Sequence, residues 1–94
     1  MFKISTCSIK RINFAKNLIT DTGGSLLGQS ISQNRTLEEL TLSWNNLKNG
    51  SGHEFVESLK VNKVLKKLKL DNNLVGLSFI DQIEEYISRN NLSY

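Results

Sequence analysis

Cys7 and His53 are the only cysteine and histidine of the chain, and together they are the one combination that could supply a nucleophile and its base. They are far apart in sequence, and no third residue at a recognisable spacing would orient the histidine. A zinc site needs about four protein ligands, or three plus water, and the carboxylates fall at no ligand spacing relative to either residue. Glu54 with Glu57, and Glu84 with Glu85, read as charges on the outer faces of helices rather than as acid–base pairs. No glycine-rich loop with a following lysine exists to cradle a phosphate. The reading is a non-enzyme with no catalytic residue, no metal and no cofactor.

The remaining chemistry is charge and one aromatic ring. Lys60, Lys63, Lys66, Lys67 and Lys69 form a basic cluster, but apolar residues interrupt it, and Asp81, Glu84 and Glu85 follow closely. The net charge of +3 is mild and does not by itself suggest nucleic acid. A nucleic-acid partner is therefore disfavoured, and a protein partner is expected. No apolar run approaches the ~20 residues of a membrane span. The first seven residues are too short and polar for a signal peptide, and a single cysteine cannot make an internal disulfide. The chain therefore reads as intracellular, in the cytoplasm, without membrane attachment. The sequons at Asn34, Asn49 and Asn91 are then not expected to carry glycans.

What must position any of these groups is a repeat. Ile9, Leu37 and Leu65 align at a period of 28 residues. Ile12, Leu40 and Leu68 stay in register with them, as do Phe14, Leu42 and Leu70, and then Ile19, Leu47 and Val75. Two columns hold asparagine in all three units: Asn17, Asn45 and Asn73 near the middle, and Asn34, Asn62 and Asn90 at the end. Leu27, Phe55 and Ile83, then Ile31, Leu59 and Ile87, complete the second half. The alternation at Leu40 and Leu42 predicts a short strand with both side chains on one face. The chain turns at Asn45, and a helix follows over about 52–61, with Phe55, Val56 and Leu59 buried. Ser51 and Glu54 have capping-box spacing, Ser78 and Asp81 offer a weaker version, and Gly23-Gly24 suggests a flexible turn. One such unit cannot bury its own apolar face, so stacking is required.

Leu37-x-x-Leu40-x-Leu42-x-x-Asn45-x-Leu47 resembles the leucine-rich repeat, and the period with its helix is similar to the ribonuclease-inhibitor-like subclass. The resemblance implies an α/β fold: a short solenoid, or horseshoe arc, of three strand–helix repeats at 8–35, 36–63 and 64–91. Parallel strands would line its concave face and helices its convex face, with an N-terminal segment 1–7 and a tail 92–94. It also implies that Asn17, Asn45 and Asn73 form a ladder bonding the turn backbone. The glycine usual six residues after that asparagine is present as Gly23 but replaced by Ser51 and Phe79.

Outward strand positions then form columns across the concave face. Arg11, Glu39 and Lys67 would make a charge stripe; Asn13, Thr41 and Lys69 follow, then Ala15, Ser43 and Asp71. Trp44, between Lys16 and Asn72, is the only tryptophan and the expected anchor for a protein partner. Arg11, Glu39, Thr41, Ser43, Lys67, Lys69 and Asp71 are the expected polar contacts. Three strands ~4.8 Å apart, each four residues long, offer only about 200 Å², against the roughly 800 Å² per partner of a standard interface. Neither end carries a polar cap. The readings are a fragment of a larger leucine-rich-repeat regulator of GTPase-activator, innate-immune or cytoskeletal type, a truncated product, or a subunit pairing end to end.

Overall fold

A computed structural model describes residues 9–92. The segment 1–7 with Cys7, the last residues of the tail and the serine of the Asn91 sequon lie outside the described residues. The order is β1 (Arg11–Asn13), α1 (Asp21–Gln33), β2 (Glu39–Thr41), α2 (Asn49–Val61), β3 (Lys67–Lys69) and α3 (Leu77–Asn91). The strands form one parallel sheet in the order β1-β2-β3. Arg11 sits opposite Glu39 and Glu39 opposite Lys67, and the next two positions pair in the same register. Each strand is therefore joined to its neighbour through a helix, as parallel pairing requires. Adjacent helices pack in sequence order, α1 on α2 and α2 on α3.

The core lies between sheet and helices. Leu40, Leu42, Leu47, Phe55, Leu59 and Leu65 are fully buried. Burial falls off toward the ends of the stack: Ile9, in the column of buried Leu37 and Leu65, is 47% exposed. Beside β1, residues Phe14, Leu18, Ile19, Leu26 and Leu27 line an open groove of about 490 Å³.

Two local expectations need correction. The helix expected over 52–61 begins at Asn49, and its N-cap is Lys48, with no side-chain cap of its own. The Ser51–Glu54 capping box does not form. Instead Asp21, at the start of α1, reaches across: its Oδ1 accepts from the Lys48 amide at 2.8 Å, the Ser51 amide at 3.2 Å and the Ser51 hydroxyl at 2.6 Å. Asn49 does the same for α3, its Oδ1 accepting from the Gly76 amide at 2.7 Å. Each helix start thus satisfies orphan amides of the next helix.

Gly23-Gly24 is likewise not a turn but part of α1, and no described glycine has positive φ. Gly24 is needed for close approach: a Cβ there would meet Ser51 Oγ at 2.1 Å and Leu47 at 2.9 Å. Gly52, 28 residues on, plays the same part against Val75 and Phe79.

Asp21 makes a pH prediction. The Ser51 hydroxyl, with the Lys48, Ser51 and Gly50 amides, holds its carboxyl below the usual aspartate value, against a smaller opposing effect of burial. A depressed folded pKa gives stability that is fully present above the unfolded pKa, about 3.9, and is lost as pH falls through the folded value. Asp21→Ala should cost about 1 kcal/mol at pH 7, and its deficit against wild type should shrink as unfolding is followed below pH ~4. A deficit independent of pH would refute the cap.

Candidate partner-binding face

The turns that end the strands are built alike. Lys16, Trp44 and Asn72 all have φ 60°, the left-handed region that disfavours side chains with a Cβ. Asparagine tolerates it better than most residues, whereas tryptophan does not. The bend lets the Lys16 amide donate to Ser43 O at 2.9 Å and the Trp44 amide to Asp71 O at 3.1 Å. It also turns the indole outward: Trp44 is 56% exposed, at the end of β2.

Behind each bend an asparagine closes the turn. Asn45 Nδ2 donates to Leu42 O at 2.9 Å and across to Phe14 O at 3.0 Å, and its Oδ1 accepts from the Ile19 amide at 3.1 Å. Asn73 repeats this with Leu70 O, Leu42 O and the Leu47 amide. Asn17 bonds Phe14 O and Ala15 O within its own turn and is exposed.

A second chain of asparagines, which sequence reasoning aligned but gave no role, runs along the C-terminal ends of the helices. Asn62 Nδ2 donates to Ile31 O at 2.8 Å and Asn34 O at 3.0 Å, while its Oδ1 accepts from the Val64 and Leu65 amides. Asn34 Oδ1 takes the Thr36 and Leu37 amides. Asn90 Nδ2 gives to Asn62 O and Leu65 O. The signal was present: these columns are as invariant in type as the first.

The sheet face itself carries a graded set of charges. Arg11 pairs with Glu39 at 3.3 Å and Lys10 with Glu38 at 3.7 Å. Glu39 therefore leans away from Lys67, and the three-residue stripe expected from the sequence forms only its first half. Among the described residues, Lys67 and Lys69 make no ion pair. Thr41 is half-buried between them and the β1 side. Ser43 is only 6% exposed, and its hydroxyl donates to Asp71 Oδ1 at 2.5 Å. That bond, helped by the backbone, the Asn72 side-chain amide and the Lys69 charge, holds the Asp71 carboxyl below its usual range against the opposing effect of desolvation. Ser43 thus positions Asp71 rather than meeting solvent itself.

The basic cluster is dispersed. Lys60 pairs with Glu57 at 2.7 Å on α2, and Lys66 Nζ donates to Asn90 O at 2.5 Å. His53 is exposed on α2. Among the described residues no three His, Cys, Asp or Glu side chains gather, and no helix is long and apolar enough to cross a membrane.

No family model matches the chain. It is 32% identical over 76 residues to leucine-rich repeat-containing protein 45 of Gallus gallus, a match covering 77% of this chain and 11% of that protein. The chain thus spans about a tenth of the curated relative it matches. Among solved structures it is similar to actin-binding site 2 of leiomodin-1, with a TM-score of 0.71 and 14% identity, covering 88% of this chain and 64% of that one. The tropomodulin C-terminal domain from Caenorhabditis elegans superposes at a TM-score of 0.49 and 14% identity, over 88% of this chain and 67% of that one. The likeness to leiomodin-1 shows a shared fold: a mixed α/β arrangement of three helices on a small parallel sheet.

Proposed function

We propose that this chain is a non-enzymatic protein-interaction module: a leucine-rich-repeat solenoid of three repeats, 8–35, 36–63 and 64–91, that holds a protein partner on its strand face. The observation that carries the reading is Trp44. The turn that Lys16 and Asn72 share holds this large aromatic ring 56% exposed beside the strand face, and exposed tryptophans of this kind are favoured interface anchors. Arg11, Glu39, Thr41, Lys67, Lys69 and Asp71 would set polar specificity around it, as rim residues do, with Ser43 holding Asp71. Asn45 and Asn73 tie successive turns together beneath it, and Asn17 closes its own turn. The face is small, so the turns that carry Lys16 and Asn72 would take part as well.

Actin is the first partner to test, because the similar leiomodin-1 domain is described as an actin-binding site. In co-sedimentation and pull-down with the full chain, Trp44→Ala should weaken capture by more than ~1 kcal/mol, as truncating an interface anchor does, while its urea transition stays in place. Undiminished capture by Trp44→Ala would sink the anchor. The match to only 11% of the chicken relative favours a second reading, in which the chain works as a segment of a larger leucine-rich-repeat regulator. A shallow, non-cooperative urea curve for the isolated chain would support that reading over an autonomous module.

A further inference from the structure

The outer edge of β3 is a different surface from the strand face, and its chemistry is legible from the pairings already made inside the sheet. At the β1–β2 step, the Phe14 and Lys16 amides donate to Thr41 O and Ser43 O; at the β2–β3 step, the Leu42 and Trp44 amides donate to Lys69 O and Asp71 O. The corresponding amides on β3 are those of Leu70 and Asn72, and among the described residues nothing accepts from them. The matching acceptor is already engaged. Lys10 O takes the Glu38 and Glu39 amides and Glu38 O takes the Lys66 and Lys67 amides, whereas Lys66 O takes the Asn91 side-chain amide at 2.9 Å. The edge therefore presents the Leu70 and Asn72 amides as open donors. Beneath them, Leu68, Leu70, Val75, Ile80 and Ile83 line a groove of about 410 Å³.

The charges say what fits. β2 is an acidic strand between two basic ones, and Glu38 and Glu39 pair with Lys10 and Arg11 at 3.7 and 3.3 Å. At β3 the same two positions are Lys66, whose ammonium donates to Asn90 O at 2.5 Å, and the exposed Lys67; among the described residues neither pairs with an acid. A second copy added head to tail would set its Lys10-Arg11 beside Lys66-Lys67, and like charges opposite one another are destabilising. A further helix packed as α2 packs on α1 is obstructed too: the position held by Gly24 and Gly52, where an added Cβ would lie 2.1 Å and 2.8 Å from its nearest neighbours, is Ile80 on α3.

We propose that the β3 edge is a docking site for an extended partner segment that adds as a fourth parallel strand, with two consecutive acidic residues beside Lys66 and Lys67 and apolar residues at alternate positions in the groove. Its carbonyls accept from the Leu70 and Asn72 amides, and strand addition of this kind draws affinity from main-chain bonds and specificity from alternate side chains. β2 is the template: Leu37-Glu38-Glu39-Leu40-Thr41-Leu42 has the required pattern.

The probe is a synthetic peptide of the sequence 36–46, titrated into the isotopically labelled full chain and followed by amide NMR, alongside a peptide carrying Glu38→Lys and Glu39→Lys. The acidic peptide should shift the Leu70 and Asn72 amides, and the reversed peptide should bind about tenfold more weakly or worse, since two favourable cross-strand pairs become two unfavourable ones. Lys67→Ala, an exposed substitution that spares the core, should narrow the difference between the peptides. Equal binding of both peptides overturns the proposal. So do shifts confined to Phe14 and Lys16 at the β1 edge, no binding of the acidic peptide, or self-association of the chain through β3 in its place.

Discussion

Asn62→Ala should lower the stability of the chain by about 3–5 kcal/mol, since each buried group left unpaired costs about 1–3 kcal/mol. Asn62 is 1% exposed, and its amide serves four backbone groups: Ile31 O, Asn34 O and the Val64 and Leu65 amides. Alanine removes both the donor and the acceptor, and the pocket is sealed by the Arg89 side chain, whose Nη2 caps Leu59 O and Asn62 O at 2.9 and 3.0 Å. A chain of this size has roughly 5–14 kcal/mol in total, so the variant should be partly unfolded at 37 °C. Asn17→Ala is the control. That side chain is exposed and bonds only within its own turn, so its loss should cost no more than about 1 kcal/mol. Urea midpoints of the two variants decide the matter; comparable losses would mean that the helix-end asparagines are not what ties one unit to the next.

Gly24→Val should destabilise by about 3 kcal/mol, at the upper end of overpacking effects. The new Cβ alone would lie 2.1 Å from Ser51 Oγ and 2.9 Å from Leu47. Ser51 cannot simply rotate away, because its hydroxyl is bound to Asp21 Oδ1 at 2.6 Å. Moving α1 outward would instead break that bond and open the seam between α1 and α2, where Ser58 Oγ also donates to Gly28 O. Gly23→Ala, one position earlier in the same helix, meets only the Ile19 side chain, at 3.0 Å. It should be neutral or raise stability by up to about 1 kcal/mol through helix propensity. Thermal melts of the pair separate the two accounts: if both glycines tolerate substitution equally, close helix contact is not the reason for Gly24.

Both predictions concern residues whose positions could be read in the sequence but whose partners could not. The 28-residue alignment placed Leu40, Leu42, Leu47, Phe55 and Leu59 on the inner side, because alternation and helical spacing are local properties of the chain, and these residues are buried. It also put Arg11, Glu39 and Lys67 in one row, and they are paired in that register. It could not say that Glu39 leans to Arg11 and that Lys67 has no ion pair among the described residues, since both neighbours lie at the same lateral spacing in the sheet. Ser43 read as an outward polar contact on alternation alone; the hydrogen bond to Asp71 draws it under the surface.

The period, the strand–helix alternation, the buried columns and the lone Trp44 were legible in residue order, because each follows from which residue types recur at which spacing along the chain. The caps and the seams came from packing in three dimensions. Asp21 rather than Ser51 with Glu54 closes the start of α2, Asn49 closes that of α3, and Gly24 and Gly52 make room for a neighbour instead of a turn. In each case the two partners are about one period apart, so their meeting depends on how closely successive helices stack, a distance that no local spacing encodes.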